Sequence, residues 1–105
     1  MNFSLAMCEF AWTSFSRPAK IYSKSILSEK NKIHPTQKPV ALYKWLLSNY
    51  AEPGDKILDT HLGSGSICIA CDDLGFEMTG IELDKDYYEG AKRRLQWHQA
   101  QQKLF

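Results

Sequence analysis

The sequence predicts an α/β fold built around one parallel βαβ unit, and three features of the sequence indicate it. A short apolar stretch from Lys56 to Asp59 is typical of a buried strand, and a Gly-Ser-Gly turn follows at 63–65. Residues Ser64 to Leu74 then show the apolar spacing of a helix, which Gly75 closes. Residues Phe76 to Glu82 form a second predicted strand. Because strands joined by a helical crossover are parallel, both should end at the same edge of the sheet.

Helices are predicted on both sides of this unit. Two prolines hold residues 34–39 extended, with Thr36 as the N-cap of a helix over residues 40–50 that carries a wide apolar face. A last helix begins at Lys85 and continues to about Gln96 or beyond, and the polar tail that follows should fray.

The beginning of the chain is predicted as a β-hairpin, because strand-forming residues at 9–15 and 19–24 flank a turn that contains Pro18. A polar, lysine-rich loop follows the hairpin. At 105 residues the chain is at most one small domain with a modest core. Its predicted parts are the hairpin (9–24), the proline loop with its helix (34–50) and the βαβα unit (56–98).

Composition narrows the class of protein. No apolar run approaches the length of a bilayer span, and residues 1–11 lack a basic n-region, so we expect neither a membrane segment nor a signal peptide. The odd count of 3 cysteines indicates a reducing compartment, and we expect a cytoplasmic protein. Cys68 and Cys71 form a C-x-x-C without a second pair, so core packing is favoured over metal or redox chemistry.

Charge is divided unevenly along the chain. Residues 1–50 hold seven basic side chains against two acidic ones, whereas residues 51–105 hold six against ten. A basic front half could face nucleic-acid phosphates. From charge alone, however, solvated lysines around loops are the favoured interpretation.

A candidate binding pocket is predicted where the two strands end. Asp59 ends the first strand and Glu82 the second, and the amides of residues 64–68 at the helix start should point into the same space. An amino-acid-bearing nucleoside matches this arrangement better than a pyrophosphate, and an acid at the position of Glu82 suits ribose hydroxyls. The dinucleotide fingerprint is incomplete, since Cys68 occupies its third glycine position. The structural alternative is a tight glycine turn beside a solvated Glu82.

Several motifs in order make a family resemblance specific. The motifs are His34-Pro-Thr-Gln-Lys-Pro-Val40, Pro53-Gly-Asp55, Ile57-Leu-Asp59, Gly63-Ser-Gly65, Gly80-Ile-Glu82, Asp86-Tyr-Tyr88 and Ala91-Lys-Arg-Arg-Leu95. With these motifs in this order, the chain resembles the carboxyl-terminal, cofactor-binding half of DNA amino-methyltransferases of the permuted class, which use S-adenosylmethionine to methylate adenine N6 or cytosine N4. The similarity covers residues 9 to 97.

The resemblance implies a partial Rossmann-like methyltransferase fold, S-adenosylmethionine as the cofactor and DNA as a partner of the complete enzyme, in a bacterial or phage-type cytoplasm. The proline loop and the glycine turn would hold the methionine end, Glu82 would accept both ribose hydroxyls, and Leu83 or Asp84 would border the adenine. His34 could equally be structural. The implied cofactor-binding residues are His34, Thr36, Gln37, Lys38, Asp59, Thr60, His61, Gly63, Ser64, Gly65, Ser66, Glu82, Leu83 and Asp84.

Two departures from the family pattern are visible. The turn usually reads D-P-F-x-G-S-G-T, and here Thr60, His61 and Ser66 replace the proline, the aromatic residue and the threonine. The [D/N/S]-P-P-[Y/F/W] segment, which binds the flipped base in this family, does not occur in the sequence.

The second departure leads to further expectations. By the resemblance, the chain carries no catalytic residue, is an incomplete domain inactive alone, and needs a complementary amino-terminal chain or self-association to cover apolar sheet edges. One alternative is a non-catalytic remnant that binds a nucleoside or a partner protein. Another is a nicotinamide dehydrogenase fragment, which Cys68 disfavours.

Overall fold

Two parallel strands and three helices make up the described part of the chain. The structure is a computed structural model that describes residues 13–18, 20–22 and 37–103. In chain order the elements are α1 (Val40–Tyr50), β1 (Lys56–Asp59), α2 (Ser66–Leu74), β2 (Glu77–Gly80) and α3 (Lys85–Gln102). None of these helices is long and apolar enough to cross a bilayer.

The two strands pair in parallel, as the βαβ pattern predicts. Their register runs from Lys56 opposite Glu77 to Asp59 opposite Gly80, so both strands end at one edge. Two further backbone hydrogen bonds continue past that edge. The Ile81 amide donates to the Asp59 carbonyl and the Leu62 amide donates to the Ile81 carbonyl, each at 2.9 Å. This backbone pairing fixes the position of the loop after β1 against the loop after β2.

The core lies between α1, α2 and one face of the sheet. Leu47, Ala70 and Cys71 are its buried centre, and Ile57 and Met78 pack against them from the strands. Successive strand residues point to opposite faces, which brings these two side chains to the covered side. The predicted core packing of the cysteines is confirmed for Cys71.

The helices and strands begin and end at residues that differ in part from the prediction. Helix α1 spans the predicted residues, but its N-cap is Pro39 in an extended conformation, so Thr36 as the N-cap was wrong. Helix α2 begins at Ser66 rather than Ser64, because Gly63 and Gly65 have φ of 59° and 80°, which no α-helical residue adopts. Gly75 closes it with φ of 80°, as predicted.

Strand β2 is shorter than predicted, because its partner β1 ends at Asp59, opposite Gly80. Glu82 therefore follows the strand by two residues instead of ending it.

The predicted fraying of the last helix is wrong over its polar tail. Helix α3 continues to Gln102. The Gln99 side-chain amide donates to Asp72 at 2.9 Å, and that of Gln102 donates to Asp73 at 2.6 Å. These contacts with α2 hold the tail helical.

The predicted hairpin lies partly outside the described residues. Residues 13–18 and 20–22, which the structure describes, contain no strand. They pack on the end of α1 instead: Arg17 donates to the Asn49 carbonyl at 2.6 Å, and the rings of Phe15 and Tyr50 lie 5.1 Å apart. The hairpin as a whole stays a prediction.

Asp73 joins all three helices. Its carboxylate pairs with Lys44 of α1 and His98 of α3, each at 2.7 Å, and accepts from Gln102. Burial alone would raise the pKa of Asp73, but hydrogen bonds from His98, Lys44 and Gln102 outweigh it and lower the pKa to about 2. Only 16% of this side chain is exposed, so the pairing is poorly screened by solvent.

Asp73→Asn is expected to lower the free energy of unfolding at pH 7 by about 1–2 kcal/mol. A carboxylate with a lowered pKa stabilises the folded state above its ordinary pKa of 3.8, and this contribution disappears as the pH falls toward 2. The loss should therefore shrink between pH 4 and pH 2 in urea unfolding experiments. Asp72→Asn, which removes the charge from one exposed contact with Gln99, is the control and should have a smaller effect at pH 7.

Candidate functional site

The loops after β1 and β2 meet at the carboxylate of Glu82. One of its oxygens accepts a hydrogen bond from the Gly63 amide at 2.7 Å, and the other accepts from the Asp84 amide at 2.8 Å. Asp84 in turn caps α3, since its side chain accepts from the Tyr87 amide at 3.0 Å. The glycine turn, Glu82 and the start of α3 are thus held together by one acidic side chain.

Asp59 orders the beginning of the glycine turn. Its carboxylate accepts from the His61 amide at 2.9 Å, and Thr60 and His61 form a side-chain hydrogen bond of 2.9 Å. Two residues later the chain bends through Gly63 and Gly65, whose positive φ values an L-residue adopts only with strain.

A cleft of about 370 Å³ opens beside this junction. Among its lining residues, Tyr43 and Leu62 were not predicted from the sequence; the others belong to the predicted site. The lining residues are Gln37, Lys38, Tyr43, His61, Leu62, Gly63, Ser64, Ser66 and Glu82.

The remaining predicted residues lie around the cleft or outside the described range. Gly65 is the residue of the turn that faces Ala91 of α3, whereas Leu83 is fully exposed. Asp59, Thr60 and Asp84 are not part of the lining. His34 and Thr36 lie outside the described residues.

The helix-start amides are less available to a ligand than predicted. The Gly65 amide donates to the Leu62 carbonyl at 3.1 Å, and the Cys68 amide donates to the Gly65 carbonyl at 3.0 Å. The turn closes on itself through these bonds, so the expectation that the whole run of amides from Ser64 to Cys68 faces a ligand is wrong at Gly65 and Cys68.

Tyr43 of α1 lines the cleft. Burial raises the pKa of Tyr43, and the negative charge of Asp59 raises it further, so the hydroxyl stays neutral at physiological pH. The apolar periodicity of residues 40–50 assigned Tyr43 to a buried face, and nothing in the local sequence indicated that it also lines a cleft.

Arg94 on α3 supports the turn from behind. Its guanidinium donates to the Ser66 hydroxyl at 2.8 Å and lies 3.3 Å from the Ser64 carbonyl oxygen. One turn earlier on the same helix, Ala91 packs directly under Gly65. Residues three apart share a helix face, so Ala91 and Arg94 contact the turn together, but nothing in the sequence indicated that this face of α3 meets the turn.

Burial raises the pKa of both cysteines of α2, of which Cys71 is buried and Cys68 half-buried. Burial raises the pKa of Cys68 to about 11, and the charges of Cys71 and Asp59 raise it as well. Its sulfur lies 3.6 Å from that of Met78. A thiol with so high a pKa is protonated at neutral pH, which favours packing over ligation or redox chemistry.

A second and larger groove, of about 880 Å³, lies between α1 and α3 on the outer side of α2. None of its lining residues belongs to the predicted site. The smaller cleft remains the better candidate, because acidic, hydroxyl and backbone groups from both strand ends converge there.

Residues 8–93 match the family model N6_N4_Mtase, described as DNA methylase. The chain belongs to this DNA methylase family. The match contains every described residue of the cleft, and it confirms the family that the ordered motifs indicated. It also argues against the dehydrogenase alternative.

Two curated relatives share this region with the DNA methylase chain. This chain is 41% identical to the type II methyltransferase M.HpaI of Haemophilus parainfluenzae over 68 residues. Those residues make up 65% of this chain and 22% of that protein. This chain is also 38% identical to the putative methylase YubD of Escherichia coli strain K12 over 65 residues. Those residues make up 62% of this chain and 29% of that protein. The matched region is thus less than a third of either relative.

Solved structures of a related protein confirm the α/β methyltransferase fold. The crystal structure of the M1.HpyAVI–SAM complex matches with a TM-score of 0.62 and 37% identity, covering 77% of this chain and 42% of that one. The crystal structure of M1.HpyAVI matches with a TM-score of 0.54 and 40% identity, covering 57% and 30%.

Proposed function

We propose that this chain forms the S-adenosylmethionine-binding part of a DNA methyltransferase that acts on adenine N6 or cytosine N4. The observation that carries the proposal is the 2.7 Å contact between Glu82 and the Gly63 amide, which joins the two strand ends beside a cleft. Family membership supports the same interpretation, and so does the similarity to M1.HpyAVI, a protein with a crystal structure of its SAM complex.

The groups around the cleft suit the parts of such a cofactor. A carboxylate has about four acceptor sites, so Glu82 can hold backbone amides and ribose hydroxyls together. The turn and Lys38 offer hydrogen-bond donors for an amino-acid carboxylate, and Asp59 offers a negative charge for the ammonium group. The volume of about 370 Å³ falls within the range of small-molecule sites.

The other implied residues complete the proposed site. His34 and Thr36 precede the two proline-loop residues that line the cleft, Gln37 and Lys38. Leu83 and Asp84 follow Glu82, where they would border the adenine ring. Gly65 lets α3 approach the turn closely.

The contribution of these residues to catalysis would be positioning and electrostatics. When bound, S-adenosylmethionine supplies a methyl group on a sulfonium centre. Glu82 orients the nucleoside end, and the turn from Thr60 to Ser66 orients the amino-acid end. The segment that holds the target base would come from outside these residues, so we expect no methyl transfer by this chain alone.

Calorimetric titration of the 105-residue chain tests the binding half of the proposal. S-adenosylmethionine should bind with one-to-one stoichiometry, and NAD should not bind, because the turn lacks the third glycine of a pyrophosphate site. Binding of NAD but not of S-adenosylmethionine would overturn the assignment.

A methyl-transfer assay tests the catalytic half. Unmethylated DNA should acquire label from methyl-labelled S-adenosylmethionine only when a polypeptide carrying a D-P-P-Y-type segment is added to the chain. If cofactor binds but no combination transfers methyl groups, the non-catalytic alternative is the better description.

A further inference from the structure

Arg94 lies on the far side of the glycine turn from the cleft. Ser64 and Ser66 line the cleft, whereas Arg94 lines the larger groove between α1 and α3. The guanidinium thus contacts the turn without being part of the cleft surface that a ligand would touch.

Three contacts of the Arg94 guanidinium involve two buried serines. Nη1 lies 2.8 Å from the Ser66 hydroxyl, 3.3 Å from the Ser64 carbonyl oxygen and 3.4 Å from the Ser64 hydroxyl. Ser64 and Ser66 are only 5% and 2% exposed. Charge-assisted hydrogen bonds are stronger than neutral ones, and burial increases their strength further.

These contacts also restrict the directions in which the serine hydroxyls can donate. A guanidinium only donates, so its N–H groups occupy acceptor positions on the serine oxygens. The two hydroxyl oxygens lie 3.5 Å apart, and one of them can donate to the other. At least one of the two serine hydroxyls is then left to donate its hydrogen to another acceptor. Because both serines line the cleft, that acceptor can be a ligand bound there.

We propose that Arg94 is a positioning residue of the cleft. It holds Ser64 and Ser66 so that the turn presents a serine hydroxyl, together with the adjacent backbone, as donors to the carboxylate of an amino-acid-bearing ligand. This inference rests on the proposed function for the identity of the ligand. The placement of the turn by Arg94 is a property of the chain itself and can be measured without a ligand.

The first measurement is the affinity of the Arg94→Ala variant for two ligands. Affinity for S-adenosylmethionine should fall about tenfold, the scale of one charge-assisted hydrogen bond. Affinity for 5′-methylthioadenosine, which has the same nucleoside but no amino-acid carboxylate, should stay unchanged. Added guanidinium ion should restore part of the lost affinity. Arg93→Ala is the matched control, because the neighbouring arginine is exposed and should leave both affinities unchanged.

The second measurement asks whether Arg94 acts through Ser66. Ser66→Ala should weaken S-adenosylmethionine binding, and adding it to Arg94→Ala should cause little further loss, as expected for coupled residues. Arg94→Lys keeps the charge but not the planar guanidinium, so it should cause an intermediate loss of affinity for S-adenosylmethionine. This variant replaces Arg94→Ala in the measurements if the alanine variant does not fold.

Amide hydrogen exchange of Gly63 and Gly65 in the unliganded chain is the third measurement. Exchange should become faster in Arg94→Ala or Arg94→Lys and stay unchanged in Arg93→Ala. Unchanged exchange, or equal losses of affinity for the two ligands, would overturn the positioning role. If the wild-type chain binds no S-adenosylmethionine but exchange responds as expected, the proposed function fails and the role of Arg94 in the turn stands.

Discussion

Gly65→Ala is expected to lower the free energy of unfolding by about 2–4 kcal/mol. Gly65 has φ of 80°, and a Cβ added there would lie 2.7 Å from the Ala91 Cβ and 3.3 Å from its Cα. Because Ala91 is a short side chain on a helix, it cannot rotate away, and α3 itself must shift. Urea unfolding measures the loss directly.

Gly75→Ala is the matched control for this substitution. Gly75 also has φ of 80°, but nothing lies within 4 Å of an added Cβ. It therefore isolates the cost of a left-handed conformation, which is about 1 kcal/mol. Equal losses in the two variants would contradict the close packing of α3 on the turn.

Glu82→Gln is expected to weaken S-adenosylmethionine binding by about 10- to 100-fold. Both carboxylate oxygens accept from backbone amides, those of Gly63 and Asp84. A glutamine turns one oxygen into an NH₂ group, which cannot accept from either amide, and it removes the charge that ribose hydroxyls would meet. Calorimetric titration of the variant gives the change in affinity.

The control for Glu82 lies at the other end of β2. Glu77 begins the strand with a side chain 73% exposed and is 3.9 Å from Lys56. Surface pairs of this kind contribute little, so Glu77→Gln should change neither stability nor affinity measurably. A loss of affinity in this variant as large as in Glu82→Gln would mean that charge in general, and not the junction at Glu82, controls binding.

The sequence alone was sufficient for the elements whose signals are local. Apolar periodicity and the turn residues predicted α1, β1 and the parallel βαβ order, and Gly75 marked the end of α2. Each of these signals depends on residues within a few positions of one another, because helical and strand periodicities are properties of short segments. The ordered motifs likewise indicated the family.

The tertiary structure alone decided features that depend on contacts between distant residues. The start of α2 follows from the positive φ of Gly65, where α3 packs against the turn, and the helical tail of α3 depends on Asp72 and Asp73. Arg94 reaches Ser66 across 28 residues of sequence. No local pattern encodes such a contact, since it exists only when two helices pack side by side, and it is this packing that shapes the turn.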